Sequence, residues 1–196
     1  WLGYYNWNID LGSHYFNNRE NFNKAIHDLD IQIGSEKMEE VSDLKKLEYL
    51  QSIIKKTLLL YPAAQLNVPR ESMEDCTVGG YHVQIGTRLL TNISKLQRDP
   101  SLHPNSLEFF SERFLTTHKD VDVKGQHFDV IPFGAGRRMS PGISFSLQVM
   151  QLTLATLFHG LGIVILDGGH VDMLEQIGLT NVKAFPLQVI LTPRLL

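Results

Sequence analysis

Ten consecutive residues concentrate the side chains that can do chemistry: Phe133-Gly134-Ala135-Gly136-Arg137-Arg138-Met139-Ser140-Pro141-Gly142. Gly136 and Gly142 allow backbone to approach a bound group closely. The Ser140 hydroxyl stays protonated near neutral pH and is a poor donor to a metal ion. A phosphate cradle built on Gly-Ala-Gly is disfavoured, because no Lys-Ser/Thr follows and Pro141 removes one backbone donor. Without a ligand, the same residues read as a glycine-rich turn ahead of a helix. Elsewhere the reactive side chains are dispersed. Eight histidines show no i,i+4 pair and no Cys/His cluster, so no zinc site is legible. The single cysteine, Cys76, has no internal disulfide partner, which fits a reducing compartment.

The elements that must position this loop follow from hydrophobic period. The 196 residues are 43% hydrophobic and 20% charged, the make-up of a globular domain. A net charge of −3 gives no bulk attraction to nucleic acid or to an anionic membrane. No apolar run reaches the roughly 18–20 residues that cross a bilayer, and no signal-peptide pattern opens the chain. Residues 1–17 lack any period and read as irregular. Phe22, Ala25, Ile26, Leu29 and Ile33 then keep helical spacing up to Gly34. An acidic link, Glu36 to Asp43, leads to a second helix with Leu47, Leu50, Ile54 and Leu58 on one core stripe, stopped by Pro62. Tyr81 to Ile85 and Thr87 to Thr91 are expected to form a hairpin-like unit. Asn92 is a cap for a brief helix, and Ser101 to Phe133 is a long meander of the kind packed around something. Residues 143–159 form a helix whose core stripe is expected to carry Phe145, Val149, Leu152, Thr153 and Thr156. Ile163 to Leu166 and Leu187 to Leu191 read as closing strands.

Five ordered segments resemble the cytochrome P-450 monooxygenases, closest to plant members that oxidise specialised metabolites. They are Asp43 to Pro62, Val68-Pro69-Arg70-Glu71, Gly80-Tyr81, Arg98-Asp99-Pro100 and Ser111-Glu112-Arg113-Phe114, and the loop at 133–142 follows them in family order. The resemblance covers residues 18–196 as one incomplete domain, leaving 1–17 as an unrelated start. It implies a mainly α fold with small β elements, the C-terminal, proximal haem-loop portion of the cytochrome P-450 architecture. It further implies haem as cofactor, an NADPH-dependent reductase as partner, a small lipophilic substrate, no nucleic acid, and the endoplasmic reticulum membrane as location. The chain as written carries no anchor and on that basis is expected in the cytosol. By resemblance, Phe133, Gly136, Arg138 and Gly142 contact haem, with Arg138 and Arg70 as propionate partners. Ser140 occupies the position of the cysteine that ligates iron.

The departures are as informative. A cysteine thiolate pushes electron density onto haem iron and favours O–O cleavage, and Ser140 cannot. Neither Met139, His159 nor Cys76 is placed by the sequence to replace it. The family's glutamate-x-x-arginine pair appears as Lys56-Thr57-Leu58-Leu59, so Lys56 is expected to meet Arg113 as a like charge in what the family builds as a buried bracing network. Glu112 and Arg113 are left to pair with Arg98 or Asp99. The family's anchor, substrate-lining half and oxygen-activating helix all precede the matched region. These readings favour a degenerate, inactive relative with no catalytic residue. Two alternatives stand beside it: a functional monooxygenase, and a non-catalytic module that binds the reductase through Lys95, Arg98 and Arg137.

Overall fold

The computed structural model describes residues 17–34, 40–166, 170–176, 178 and 180–194. The irregular start expected at 1–17 lies, apart from Asn17, outside the described residues. Asn18 opens α1 (Arg19–Gln32), its side chain accepting the Asn21 amide at 3.2 Å and so satisfying a donor that has no intrahelical partner. Asn21, Ala25 and Leu29, spaced by four, face the core. Gly34 follows at φ +91°, the left-handed conformation that commonly ends helices. Of the acidic link expected from Glu36 to Asp43, residues 35–39 lie outside the described residues, and Asp43 is buried. It accepts from the Glu40 amide and from Lys46, holding a 3-10 turn over Asp43–Lys46.

The central helix α2 (Glu48–Leu60) carries the expected stripe, with Leu47, Leu50, Ile54 and Leu58 each 1% exposed. Ile53, Lys56, Thr57 and Leu59 are buried as well, so α2 is enclosed on most of its circumference. The short α3 (Ile93–Gln97), which packs on α2, is capped by the Asn92 side chain as expected. The meander from 101 to 133 contains only one 3-10 turn, Ser111–Phe114, and contributes Phe114, Val123 and Val130 to the core.

α4 (Ile143–Gly160) forms where the sequence puts it, but with a different face inward. Ile143, Met150, Leu154, Ala155 and Phe158 are buried, whereas Phe145 is 57% exposed and Thr156 is exposed. Polar residues such as Ser146, Gln148, Thr153 and Thr156 are spread around the helix, so its period does not choose a face; packing on α1 and α2 does. Phe22 meets Phe158 edge-to-face at 5.1 Å, a favoured aromatic geometry.

Among the described residues there are four small sheets, each an antiparallel pair. The expected hairpin between 81–85 and 87–91 is corrected. Strand β3 (Tyr81–Val83) pairs back onto β2 (Cys76–Val78), while β4 (Arg88–Leu89) pairs with β1 (Arg70–Glu71). Gly79 and Gly80, at φ +58° and +85°, make the tight two-residue turn that demands positive φ at both centres. The closing strands appear as β5 (Leu161–Ile165) against β8 (Val189–Pro193), and a small pair joins β6 (Glu175–Gln176) to β7 (Val182–Lys183). Among the described residues no helix is long and apolar enough to cross a membrane.

Candidate haem-loop cleft

The end of α2, the approach to β1 and the 133–142 loop enclose a cleft of about 420 Å³. Pro62 ends α2 and turns the chain outward, so Leu58, Ala63 and Ala64 form one apolar wall. Asn67, at φ +53°, and Arg70 at the start of β1 form the second side. The loop supplies Pro132, Phe133, Arg138 and Ser140. Its shape comes from two backbone closures: Met139 N donates to Gly136 O at 3.1 Å, and Ser140 N donates to Phe133 O at 3.0 Å. The second closure turns Ser140 and Phe133 towards the same cleft.

Four of the six expected residues therefore converge: Arg70, Phe133, Arg138 and Ser140. Gly136 and Gly142 do not line the cleft. Gly136 is solvent-facing at φ +71°, with nothing within 4 Å of where a Cβ would sit, and Gly142 is the residue from which α4 starts. Their part is to shape the turn. Close approach belongs to other glycines. A Cβ on Gly134 would lie 3.6 Å from Asn67 Nδ2 and 3.8 Å from Arg70 Nη2, and a Cβ on Gly125 would lie 2.9 Å from Gly134 O. Sequence reading missed Asn67 and Gly125, whose only signal is residue type in a turn.

The two guanidiniums are held differently. Arg70 Nη2 donates to the Arg138 carbonyl at 3.1 Å, tying β1 to the loop. It does not pair with Glu71, which reaches Arg88 at 3.6 Å. The Arg138 guanidinium is exposed and makes no ion pair among the described residues. No carboxylate lines the cleft.

Behind the cleft lies the altered brace. Lys56 is 0% exposed, and its Nζ donates to Ser106 O at 2.8 Å. Burial, reinforced by the nearby Arg113 guanidinium, pushes its pKa down to about 7. Arg113, itself lowered by burial, donates to Pro104 O at 3.1 Å and Asn105 O at 3.3 Å. Its buried Nε has no hydrogen-bond partner among the described residues. The like-charge meeting expected from the sequence is present, and carbonyls of the meander have taken the place of an acid. The expected pairing of Glu112 and Arg113 with Arg98 or Asp99 is not formed. Glu112 reaches Lys24 at 3.0 Å, and Arg98 binds Leu60 O at 2.9 Å and Glu175 at 3.0 Å.

One connection was not foreseen. Gln97, fully buried, donates to Leu58 O and Leu59 O at 2.9 and 3.0 Å and accepts the Ile131 amide at 3.0 Å. It joins the last turn of α2 to the residues that lead into the loop. Its signal in the sequence is its position four after Ile93, on the inward face of α3.

The donor set fits one half of a haem group. Arg70 and Arg138 suit the carboxylate edge, as charged donors to carboxylates do, and the apolar walls suit the ring. Ser140 does not fit the thiolate end: it presents a neutral hydroxyl with no hydrogen bond among the described residues. Met139 packs towards Gly125, and His159 and Cys76 lie away from the cleft. None of the three supplies a ligand there.

Comparison with known proteins bears on the whole chain. The family model for cytochrome P-450 matches residues 14–184. Strychnine-10-hydroxylase of Strychnos nux-vomica is 55% identical over 172 residues, 88% of this chain and 32% of that protein. Protopine 6-monooxygenase of Papaver somniferum is 49% identical over 91% of this chain and 33% of its own length. Xanthotoxin 5-hydroxylase of Arabidopsis thaliana is 48% identical over 96% of this chain and 36% of its own length. A solved zebra fish cytochrome P-450 structure with abiraterone superposes with a TM-score of 0.81 at 23% identity, over 95% of this chain and 42% of that one, a likeness of fold. The chain thus spans about a third of the length of the curated relatives it matches.

Proposed function

Because the chain belongs to the cytochrome P-450 family, whose cofactor is haem, we propose that it is a degenerate plant-type member in which haem-thiolate monooxygenase activity is lost. The observation that carries this reading is Ser140, facing the cleft at the position that the resemblance gives to the ligating cysteine. An unactivated hydroxyl cannot supply the electron donation that a thiolate gives iron. The brace supports the same reading. Where the family sets an acid against an arginine, Lys56 and Arg113 repel, and no guanidinium stands at Leu59. The ancestral activity we infer is reductase-dependent hydroxylation of a small lipophilic plant metabolite at the endoplasmic reticulum, in line with the hydroxylases and monooxygenases among the relatives.

The reductase-binding alternative draws less support. Of the three basic residues it invokes, Arg98 is engaged with Leu60 O and Glu175, which leaves the exposed Lys95 and Arg137 as the free pair. The test of the main reading is to load the purified chain with haem, reduce it and add carbon monoxide, with Ser140→Cys alongside. A thiolate-type carbonyl spectrum is expected from the cysteine variant alone. Such a spectrum from the unaltered chain, or hydroxylation by it with a plant reductase, would overturn the reading.

A further inference from the structure

We propose that the cleft between Arg70 and Ser140 is a site for a flat, apolar ring bearing two carboxylates, and that it binds such a ring without regard to a central metal, so that a metal-free porphyrin is as good a ligand as its iron complex. The inference rests on the reading of Ser140 given above and takes it a step further, from a lost ligand to a changed selectivity.

Three observations carry it. First, Arg70 and Arg138 face one cleft that no carboxylate lines, and the neighbouring acid Glu71 points to Arg88. Two guanidiniums without acid partners favour two negative charges on the occupant, and each charge-assisted contact is stronger than a neutral one. Second, apart from Asn67 the rest of the lining is apolar, with Ala63, Ala64, Val68, Pro69, Pro132 and Phe133 around the cleft. Burial of apolar ring surface against these side chains contributes to binding.

Third, the atom that would tell iron from no iron is a neutral hydroxyl. Ser140 Oγ has no hydrogen bond among the described residues, and a neutral hydroxyl offers iron no bond of the strength that a thiolate gives it. A thiolate in its place would make the iron complex the far better ligand. With oxygen there, recognition passes to the carboxylate end and the walls, which are the same for both compounds.

The experiment is a set of titrations of the purified chain with haem, with protoporphyrin IX and with protoporphyrin IX dimethyl ester, followed by absorbance and porphyrin fluorescence. Haem and the free-base acid are expected to bind with Kd values within about threefold of each other, a difference under 1 kcal/mol. The dimethyl ester is expected to bind at least about tenfold more weakly. Arg138→Gln, on an exposed side chain, is expected to weaken both acids by the same factor of about ten. Ser140→Cys is expected to raise haem affinity alone and so create a preference of about tenfold or more for the iron complex.

An unaltered chain that prefers haem by about tenfold or more overturns the proposal, because iron is then being ligated. So does an ester that binds as well as the acid, or failure of both acids to bind. None of these three results restores a thiolate. The loss-of-activity reading falls only to a thiolate-type carbonyl spectrum or turnover from the unaltered chain, so the two failures are told apart.

Discussion

On the function proposed above, the chain departs from its family by residue type at Lys56 and at Ser140, and the surroundings of the two residues differ. Around Lys56 backbone carbonyls serve as acceptors. The ammonium donates to Ser106 O, and Arg113 donates to Pro104 O and Asn105 O. Carbonyls of the meander thus accept what an acid would have accepted. Around Ser140 no other group compensates. Two backbone closures hold the loop, Arg70 ties β1 to it, and the Ser140 hydroxyl faces the cleft with no hydrogen bond among the described residues. A brace has a mechanical task, and other acceptors can perform it at some cost in stability. A ligand position has an electronic task, and one atom decides it.

The comparison is broken most directly through pH. Unfolded, Lys56 keeps its proton up to about its ordinary value of 10.5; folded, burial and Arg113 release it near 7. Between those values the unfolded chain binds more protons, so stability is expected to rise with pH from about 7 towards 10. The gain is on the order of 3–5 kcal/mol at its upper bound. Below pH 7 both states hold the proton and the contribution is flat. Lys56→Met should remove most of the slope, leaving the part that comes from Lys55, whose pKa burial also lowers, and stabilise the chain at pH 6 by about 1–3 kcal/mol, because an apolar side chain replaces a buried, repelled charge. Urea melts of both proteins at pH 6, 7.5 and 9 are the measurement. A slope undiminished by Lys56→Met would place it on another group and restore parity between the two regions.

A second test concerns what links the regions. Gln97 holds Leu58 O, Leu59 O and Ile131 N from a fully buried position. Gln97→Leu leaves three buried polar groups without partners, and each such loss costs about 1–3 kcal/mol. Destabilisation of about 3 kcal/mol is expected, with porphyrin binding weakened in the fraction that stays folded. Loss of stability with unchanged binding would show that the loop holds its shape without α2.

What the sequence reveals of this arrangement follows the same division. Helices α1 and α2 are legible because period and punctuation agree: Asn18 and Gly34 bracket α1, and Pro62 stops α2. The closing strands are legible as apolar segments, though not their pairing. The buried face of α4 is not legible, because polar residues spread around the helix leave no preferred side until Phe22 meets Phe158. Strand pairing at 70–89 also escapes, since segments of two or three residues carry no alternation; Gly79-Gly80 sets only the β2–β3 pair. In the cleft, Arg70, Phe133, Arg138 and Ser140 are readable from motif order. Asn67, Gly125 and Gln97 act through backbone conformation or backbone groups, which leave little trace in residue type.

The smallest expected effect is the sharpest test. Ser140→Cys exchanges one side-chain atom at a half-buried position whose hydroxyl makes no hydrogen bond among the described residues. Nothing is orphaned by the exchange and no cavity is made, so the stability change without ligand is expected to stay within about 0.5 kcal/mol. The Lys56 substitution should move stability several times further while leaving the carbonyl spectrum of the loaded chain untouched. One residue would then govern stability without spectroscopy, and the other spectroscopy without stability. If Ser140→Cys instead shifts the melt as far as Lys56→Met does, the loop bears mechanical load too, and the sulfur-to-oxygen change belongs with the rebuilt brace as a structural adjustment.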